Sequence, residues 1–189
     1  MDNHLPLIKQ CIDGNRNAQS ELYSLFAKKM FPVCLWYAKN REEAEDIMQE
    51  GFLKVFKYLY QYSSIGSFEG WVRKIIIRTA IDKIKTNKQL YPIVSIEETS
   101  LPFEKEYGES EIVEKITVKK LLEIIQSLPP AYRLVFNLYA FENLKHKEIA
   151  ELLNISEGTS KSNLFDARKL LQEKVRHCLE YELKQNIAK

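Results

Sequence analysis

Residues 145–171, KHKEIAELLNISEGTSKSNLFDARKLL, leave the backbone few choices. In the first half, Ile149, Ala150, Leu152 and Leu153 give a one-sided apolar face at helical spacing. Ala150 is small enough to let a second helix cross close by. Asn154 follows where a left-handed residue commonly ends a helix, and Asn tolerates positive φ better than most residues. Ser156 can cap a new helix whose first residue, Glu157, suits the positive end of the dipole. The pattern predicts a helix-turn-helix.

In the second helix Leu164, Ala167, Leu171 and Val175 recur at helical spacing and should face inward, leaving Lys161, Ser162, Phe165, Asp166 and Lys169 outward. An outward mix of base, hydroxyl and aromatic can read base edges in a DNA groove. The alternative is an amphipathic helical hairpin whose polar face meets only water. Periodicity alone does not separate the two; the turn chemistry and the Gly158-Thr159 pair favour DNA.

The chain has 189 residues and 45% hydrophobic content, enough to bury one core or two small ones. With only 6 Gly, 6 Pro and little strand-like alternation, the periodic stretches argue for an all-α architecture. No apolar run approaches a membrane span, and MDNHLPLIKQ lacks the layout of a signal peptide, so no membrane insertion and a cytoplasmic location are expected. Cys11, Cys34 and Cys178 are scattered and odd in number, which suits a reducing compartment and gives neither a disulfide framework nor metal-ligand spacing.

The net charge of +2 is unevenly placed. Residues 1–90 hold 14 Lys and Arg against 10 Asp and Glu, residues 91–114 hold 1 against 7, and residues 115–189 hold 13 against 9. Two basic modules thus flank an acidic connector, an arrangement that permits nucleic-acid contact without proving it.

From the N-terminus, residues 4–14 and 17–39 read as two helices broken at Gly14-Asn15. Leu22, Leu25, Phe26, Met30 and Phe31 give the second an apolar face, and Pro32 suggests a kink. Asn40 opens the next helix with Glu43 three residues on, in the manner of a capping box. Its buried stripe is Ile47, Met48, Phe52, Val55, Phe56 and Leu59. Its first turns also carry Glu42, Glu43, Glu45, Asp46, Gln49 and Glu50, more acid than dipole compensation requires. That patch suits either a basic protein partner or a plain solvated helix start.

The polar turn QYSSIGSFEG, residues 61–70, is bracketed by Tyr58, Tyr60, Tyr62, Phe68 and Trp71. In the helix that follows, Phe68, Trp71, Val72, Ile75, Ile76, Thr79, Ala80 and Ile84 line one side, and Arg73, Lys74, Arg78, Lys83, Lys85 and Lys88 crowd the others. Only Asp82 opposes those cations. A basic helix behind an aromatic-flanked loop offers cations for phosphates and a pocket for an unstacked base, which is what single-stranded DNA requires. Helical spacing makes most of these aromatics core, leaving the loop and its edges as base-binding candidates.

Three ordered stretches, EEAEDIMQEGFLKVF, GSFEGWVRKIIIRTAIDKIK and SLPPAYRLVFNLYAFENLKHKEIAELLNISEGTSKSNLFDARKLL, resemble the signatures of bacterial sigma factors, specifically the short two-domain extracytoplasmic-function (ECF) group. The resemblance covers nearly the whole chain apart from the connector. It implies two small helical domains on a flexible acidic linker, with residues 1–91 binding core polymerase and the −10 element, 92–112 as linker, and 113–189 as the helix-turn-helix for the −35 element. It implies no catalysis, no cofactor and no metal. Core binding, on the clamp helices of the largest polymerase subunit, would fall to Glu45, Asp46, Gln49, Glu50 and Phe52. Melting and capture of −10 DNA would fall to Ser63, Ser64, Ser67, Phe68, Trp71, Arg73, Lys74 and Arg78. The −35 duplex would be read by Lys161, Ser162 and Phe165, with Thr159 and Arg168 on phosphates. The linker would thread into the polymerase, and an anti-sigma factor is an implied partner.

The chain departs from the family pattern at Arg78, where Asn is frequent, at Ser160, usually Val, and at Asn163 and Asp166, where basic residues are common. Ser160 should loosen packing beneath the reading helix, and a carboxylate at Asp166 facing DNA would repel phosphate or accept from a cytosine amine. Residues 91–114, with Pro92, Pro102 and Gly108 among the acids, read as flexible, and a helix from about Ser110 runs to Ser127-Leu128-Pro129-Pro130. Residues 133–141 form the next helix, with Leu134, Val135, Leu138 and Tyr139 inward. His4, His146 and His177 stand apart from metal-ligand partners, no phosphate loop follows a strand, and His146 reads as a solvated surface residue. A stand-alone DNA-binding regulator and a helical adaptor remain the rival readings.

Overall fold

The computed structural model describes residues 4–86 and 117–187, and every regular element among them is helical. The expected linker and the helix start near Ser110 lie outside the described residues. The chain divides into two compact units, Met1–Asn87 and Lys88–Lys189.

In the first unit, α1 spans Leu5–Ile12, α2 Arg16–Tyr37, α3 Arg41–Tyr58 and α4 Phe68–Thr86, with a short 3-10 turn at Leu59–Gln61. Local chemistry fixes each start. Asn15 Oδ1 accepts from the amides of Asn17 and Ala18 at 3.0 and 3.1 Å, after Gly14 has turned the chain at φ 83°. Asn40 Oδ1 accepts from Glu43 N at 2.9 Å, while the Glu43 carboxylate reaches the amide of Lys39 rather than of Asn40. Ser67 Oγ caps α4 by accepting from Gly70 N at 3.1 Å. Pro32 lies inside α2, which continues through it to Tyr37.

Helices α2, α3 and α4 pack against one another, with α1 against α2. Leu22, Phe26, Met30, Tyr37, Ile47, Val55, Val72 and Ile76 are buried between them, each contributing roughly 1.5–3 kcal/mol. Phe26 and Tyr62 meet Phe68 edge-on at 5.2 and 5.1 Å between ring centres, and Trp71 stacks on it at 5.7 Å. At Gly51 a Cβ would strike the Cδ1 tip of the buried Ile76 side chain, so a larger residue there would have to displace that methyl at the α3–α4 contact. Five expectations shift. Leu25 is exposed; Phe31, Phe56, Trp71 and Ile75 are half-buried; and Ile77 joins the core instead. Burial pushes the Cys34 thiol up to about 12, so it stays protonated at neutral pH.

In the second unit α5 spans Val118–Gln126, α6 Pro130–Ala140, α7 His146–Leu153 and α8 Glu157–Ile187. Thr117 caps α5, its Oγ1 accepting from Lys120 N at 3.3 Å. Helices α5, α6 and α7 all pack on α8, burying Ile125, Leu134, Leu138, Ile149, Leu164 and Ala167. Val175 and Tyr139 are only half-buried. Because α6 begins at Pro130 rather than Arg133, Arg133 falls within it and is 3% exposed; its Nη1 donates to Gln126 O at 2.8 Å and ties α6 to the end of α5. No sequence pattern marked that buried cation.

Candidate nucleic-acid and partner interfaces

The α7–α8 turn is closed by backbone chemistry. Asn154 sits at φ 58°, ψ 52°, its amide donating to Ala150 O, and Ile155 N donates to the same carbonyl at 3.0 Å. Ser156 Oγ then accepts from Thr159 N at 2.9 Å and opens α8. Beyond this cap Leu164 and Ala167 are buried, while Thr159, Lys161, Phe165 and Arg168 are exposed and Ser162 is half-buried. Phe165 leaves 53% of its surface in water, placing an aromatic ring on the outer face of α8. The hydroxyls are engaged within the helix: Thr159 Oγ1 lies 2.8 Å from Ser156 Oγ, and Ser162 Oγ donates to Thr159 O.

Beneath this face lies a cluster the sequence did not announce. His146 Nδ1 is 2.9 Å from Ser160 Oγ, and its ring stacks on Tyr139 at 5.1 Å. The Arg168 guanidinium lies over the Tyr139 ring at 5.4 Å. His146 is therefore a half-buried link between α6, α7 and α8 rather than a solvated histidine. Ser160, fully buried, does not leave a loose spot: its hydroxyl is held by that histidine. Burial, then the charges of Lys161 and Arg168, hold the His146 ring below its usual range. Asp166 likewise differs from expectation. It takes a hydrogen bond from the Tyr132 hydroxyl, whose proton is held more tightly through burial and that carboxylate, so it is directed to α6 rather than to a DNA groove.

In the first unit, Glu45, Asp46, Gln49 and Glu50 are exposed on α3. Their charges are partly answered: Arg41 pairs with Glu45 at 2.8 Å, Lys54 with Glu50 at 3.0 Å and with Asp82 at 3.6 Å, and Lys83 of α4 with Asp46 at 2.9 Å. The basic face of α4 is thus less free than its composition suggests. Phe52, expected to meet a partner, is 2% exposed and set edge-on to Tyr23. Its period on α3 turns it into the core, and Leu53, 67% exposed, stands outside instead. An open groove of about 360 Å³, lined by Tyr23, Phe31, Arg41, Glu45 and Met48 among others, runs beside these acids.

Ser63, Ser64 and Ser67 are exposed in the turn before α4, as are Lys74 and Arg78 on the helix; Trp71 and Arg73 are half-buried. Phe68 corrects the expectation: at 0% exposure it is the centre of the ring cluster, out of reach of any base. Among the described residues no His, Cys, Asp and Glu group could hold a metal ion, and no helix is long and apolar enough to cross a membrane.

The family model for sigma-70 region 2 matches residues 22–89, and that for sigma-70 region 4 matches residues 119–171. The RNA polymerase sigma factor SigV of Bacillus subtilis (strain 168) is 31% identical over 138 residues, 72% of this chain and 78% of the relative. The chain belongs to the ECF group of the sigma-70 family. The ECF RNA polymerase sigma factor SigW of the same organism is 28% identical over 177 residues, covering 89% of this chain and 95% of the relative. A chain of the solved RsbN-BldN complex aligns over 88% of this sigma factor at 17% identity with a TM-score of 0.38, too low to bear on its fold or partners. The protein is a sigma factor of transcription initiation, and the region 4 match spans the helix-turn-helix of α7 and α8.

Proposed function

We propose that this sigma factor docks on the clamp helices of the largest subunit of core RNA polymerase through Glu45, Asp46, Gln49 and Glu50. The adjacent groove between α2 and α3 extends that surface. The turn at Ser63, Ser64 and Ser67, with Trp71, Arg73, Lys74 and Arg78, engages and melts the −10 element. Lys161, Ser162 and Phe165 read the −35 duplex, and Thr159 and Arg168 meet its phosphates. Residues 1–91 and 113–189 are the two working domains, with 92–112 as the linker. The protein catalyses no reaction and needs no cofactor; it acts in the cytoplasm, and an anti-sigma factor restrains it.

The observation that carries this reading is the disposition of the first turns of α8. Leu164 and Ala167 are buried, Phe165 and Lys161 stand out, and the capped, left-handed turn before them leaves the start of the helix open to a groove. A stand-alone regulator would use the same motif but leaves the acidic face of α3 without a role.

A gel shift with full-length protein and a promoter selected from a random library separates the two. Tight binding only when core polymerase is present supports the proposal. Equal binding by the protein alone points to the regulator.

A further inference from the structure

Ser160, Leu164 and Arg168 follow one another at four-residue spacing along α8, so they form one row on its surface. The first two are buried and the third stands in solvent. Where the row emerges, the Arg168 guanidinium meets a ring, lying 5.4 Å from the centre of Tyr139. Among the described residues no ion pair joins it to an acid.

The cations of the first unit are held differently. Lys29, Lys54 and Lys83 are each paired with a carboxylate. A carboxylate offsets a cation's charge and competes with phosphate for its N–H donors. A ring does neither, because its negative face attracts the guanidinium as a whole and leaves the charge and the donor edges to another partner.

The ring is itself held. Tyr139 is half-buried in the last turn of α6, and the His146 ring of α7 stacks on it at 5.1 Å with 27° between the planes. His146 Nδ1 lies 2.9 Å from Ser160 Oγ, which is fully buried. A chain of contacts thus leaves the first turn of α8, crosses α7 and α6, and returns to α8 about two turns further on. It ends on a cation.

We propose that Tyr139 is a positioning residue, holding the Arg168 guanidinium in place for a phosphate of the −35 duplex. The inference rests on the phosphate contact proposed above for Arg168. A long exposed side chain loses rotamer freedom when it grips a phosphate, and restraint already present in the free protein lowers that cost. Tyr139 touches no nucleotide; it acts only through Arg168.

The test uses holoenzyme reconstituted from core RNA polymerase and the full chain, binding a −35 promoter fragment selected by the wild-type protein at several salt concentrations. Tyr139→Leu should weaken binding about threefold. Tyr139→Phe keeps the ring and should bind as wild type, and in an Arg168→Ala background Tyr139→Leu should make no further difference. Tyr139→pentafluorophenylalanine keeps the shape of the ring but inverts the charge of its face, so it should reproduce the loss, and it decides alone if the leucine variant unfolds. Wild-type binding by the leucine and pentafluoro variants would overturn the positioning role while leaving the phosphate contact standing. Equal losses from Tyr139→Leu in both backgrounds would overturn it too, since the packing of α6 on α8 would then be the cause. A Tyr139→Phe defect as large as that of Tyr139→Leu would assign the effect to the hydroxyl and end the proposal as well. Arg168→Ala with unaltered affinity and salt slope would remove the phosphate contact itself, and the positioning role with it.

Discussion

Asp46 Oδ2 and Lys83 Nζ lie 2.9 Å apart, joining the acidic face of α3 to the basic face of α4. With 64% of the Asp46 side chain exposed, the pair is screened by water and contributes about 0–1 kcal/mol to stability. Its removal therefore separates binding from folding. Asp46→Asn should leave the unfolding temperature within about 2 °C of wild type and weaken association with core polymerase on the order of tenfold, read by anisotropy of labelled protein titrated with core. Unchanged association would take Asp46 out of the interface.

Phe68 makes the opposite prediction. Fully buried among Phe26, Tyr62 and Trp71, its truncation leaves a cavity at the heart of the first unit. Phe68→Ala should lose about 3–5 kcal/mol in chemical denaturation. A residue that served only to contact DNA would lose promoter binding with stability intact, and that outcome would reverse its placement in the core.

Those two residues also show what was legible in the sequence. The caps and breaks were, because they are local: Asn154 and Ser156 close the α7–α8 turn, and Asn40 with Glu43 opens α3, through bonds spanning three or four residues. Periodicity had already turned Phe52 and Phe68 inward, while family resemblance gave both a contact role. Burial agrees with the period, since an aligned position carries no statement about exposure. What stayed hidden is non-local. The Tyr132–Asp166 bond, the His146–Ser160 bond and the Lys83–Asp46 pair join residues 34, 14 and 37 apart, whereas the sequence pattern turns Asp166 toward DNA, leaves His146 in solvent and counts Lys83 among the cations open to phosphate.

Lys161 and Arg168, both exposed on α8, are assigned different work on DNA, and the difference is measurable. Lys161→Ala should lose about 1–3 kcal/mol and relax the preference at one position of the −35 element. Arg168→Ala should weaken binding evenly across sequences and reduce the salt slope by about 1. Holoenzyme binding to a panel of −35 variants at several salt concentrations reads both. Identical behaviour of the two variants would dissolve the assignment.

The His146 ring predicts a pH dependence of stability. Its native pKa is lowered from 6.5, first by burial and then by Lys161 and Arg168, with Glu157 opposing. Above that reference value both folded and unfolded chains hold the ring neutral, so it adds no slope. As pH falls through about 6.5 the unfolded chain takes a proton that the folded one refuses, and stability declines until the native ring titrates as well. His146→Gln keeps a group able to bond Ser160 Oγ and cannot titrate in this range. Its unfolding free energy should vary less than that of wild type between about pH 7 and pH 5, measured by urea denaturation across that interval. Parallel curves for the two proteins would mean that the contacts with Tyr139 and Ser160 accommodate the charged ring as readily as water does.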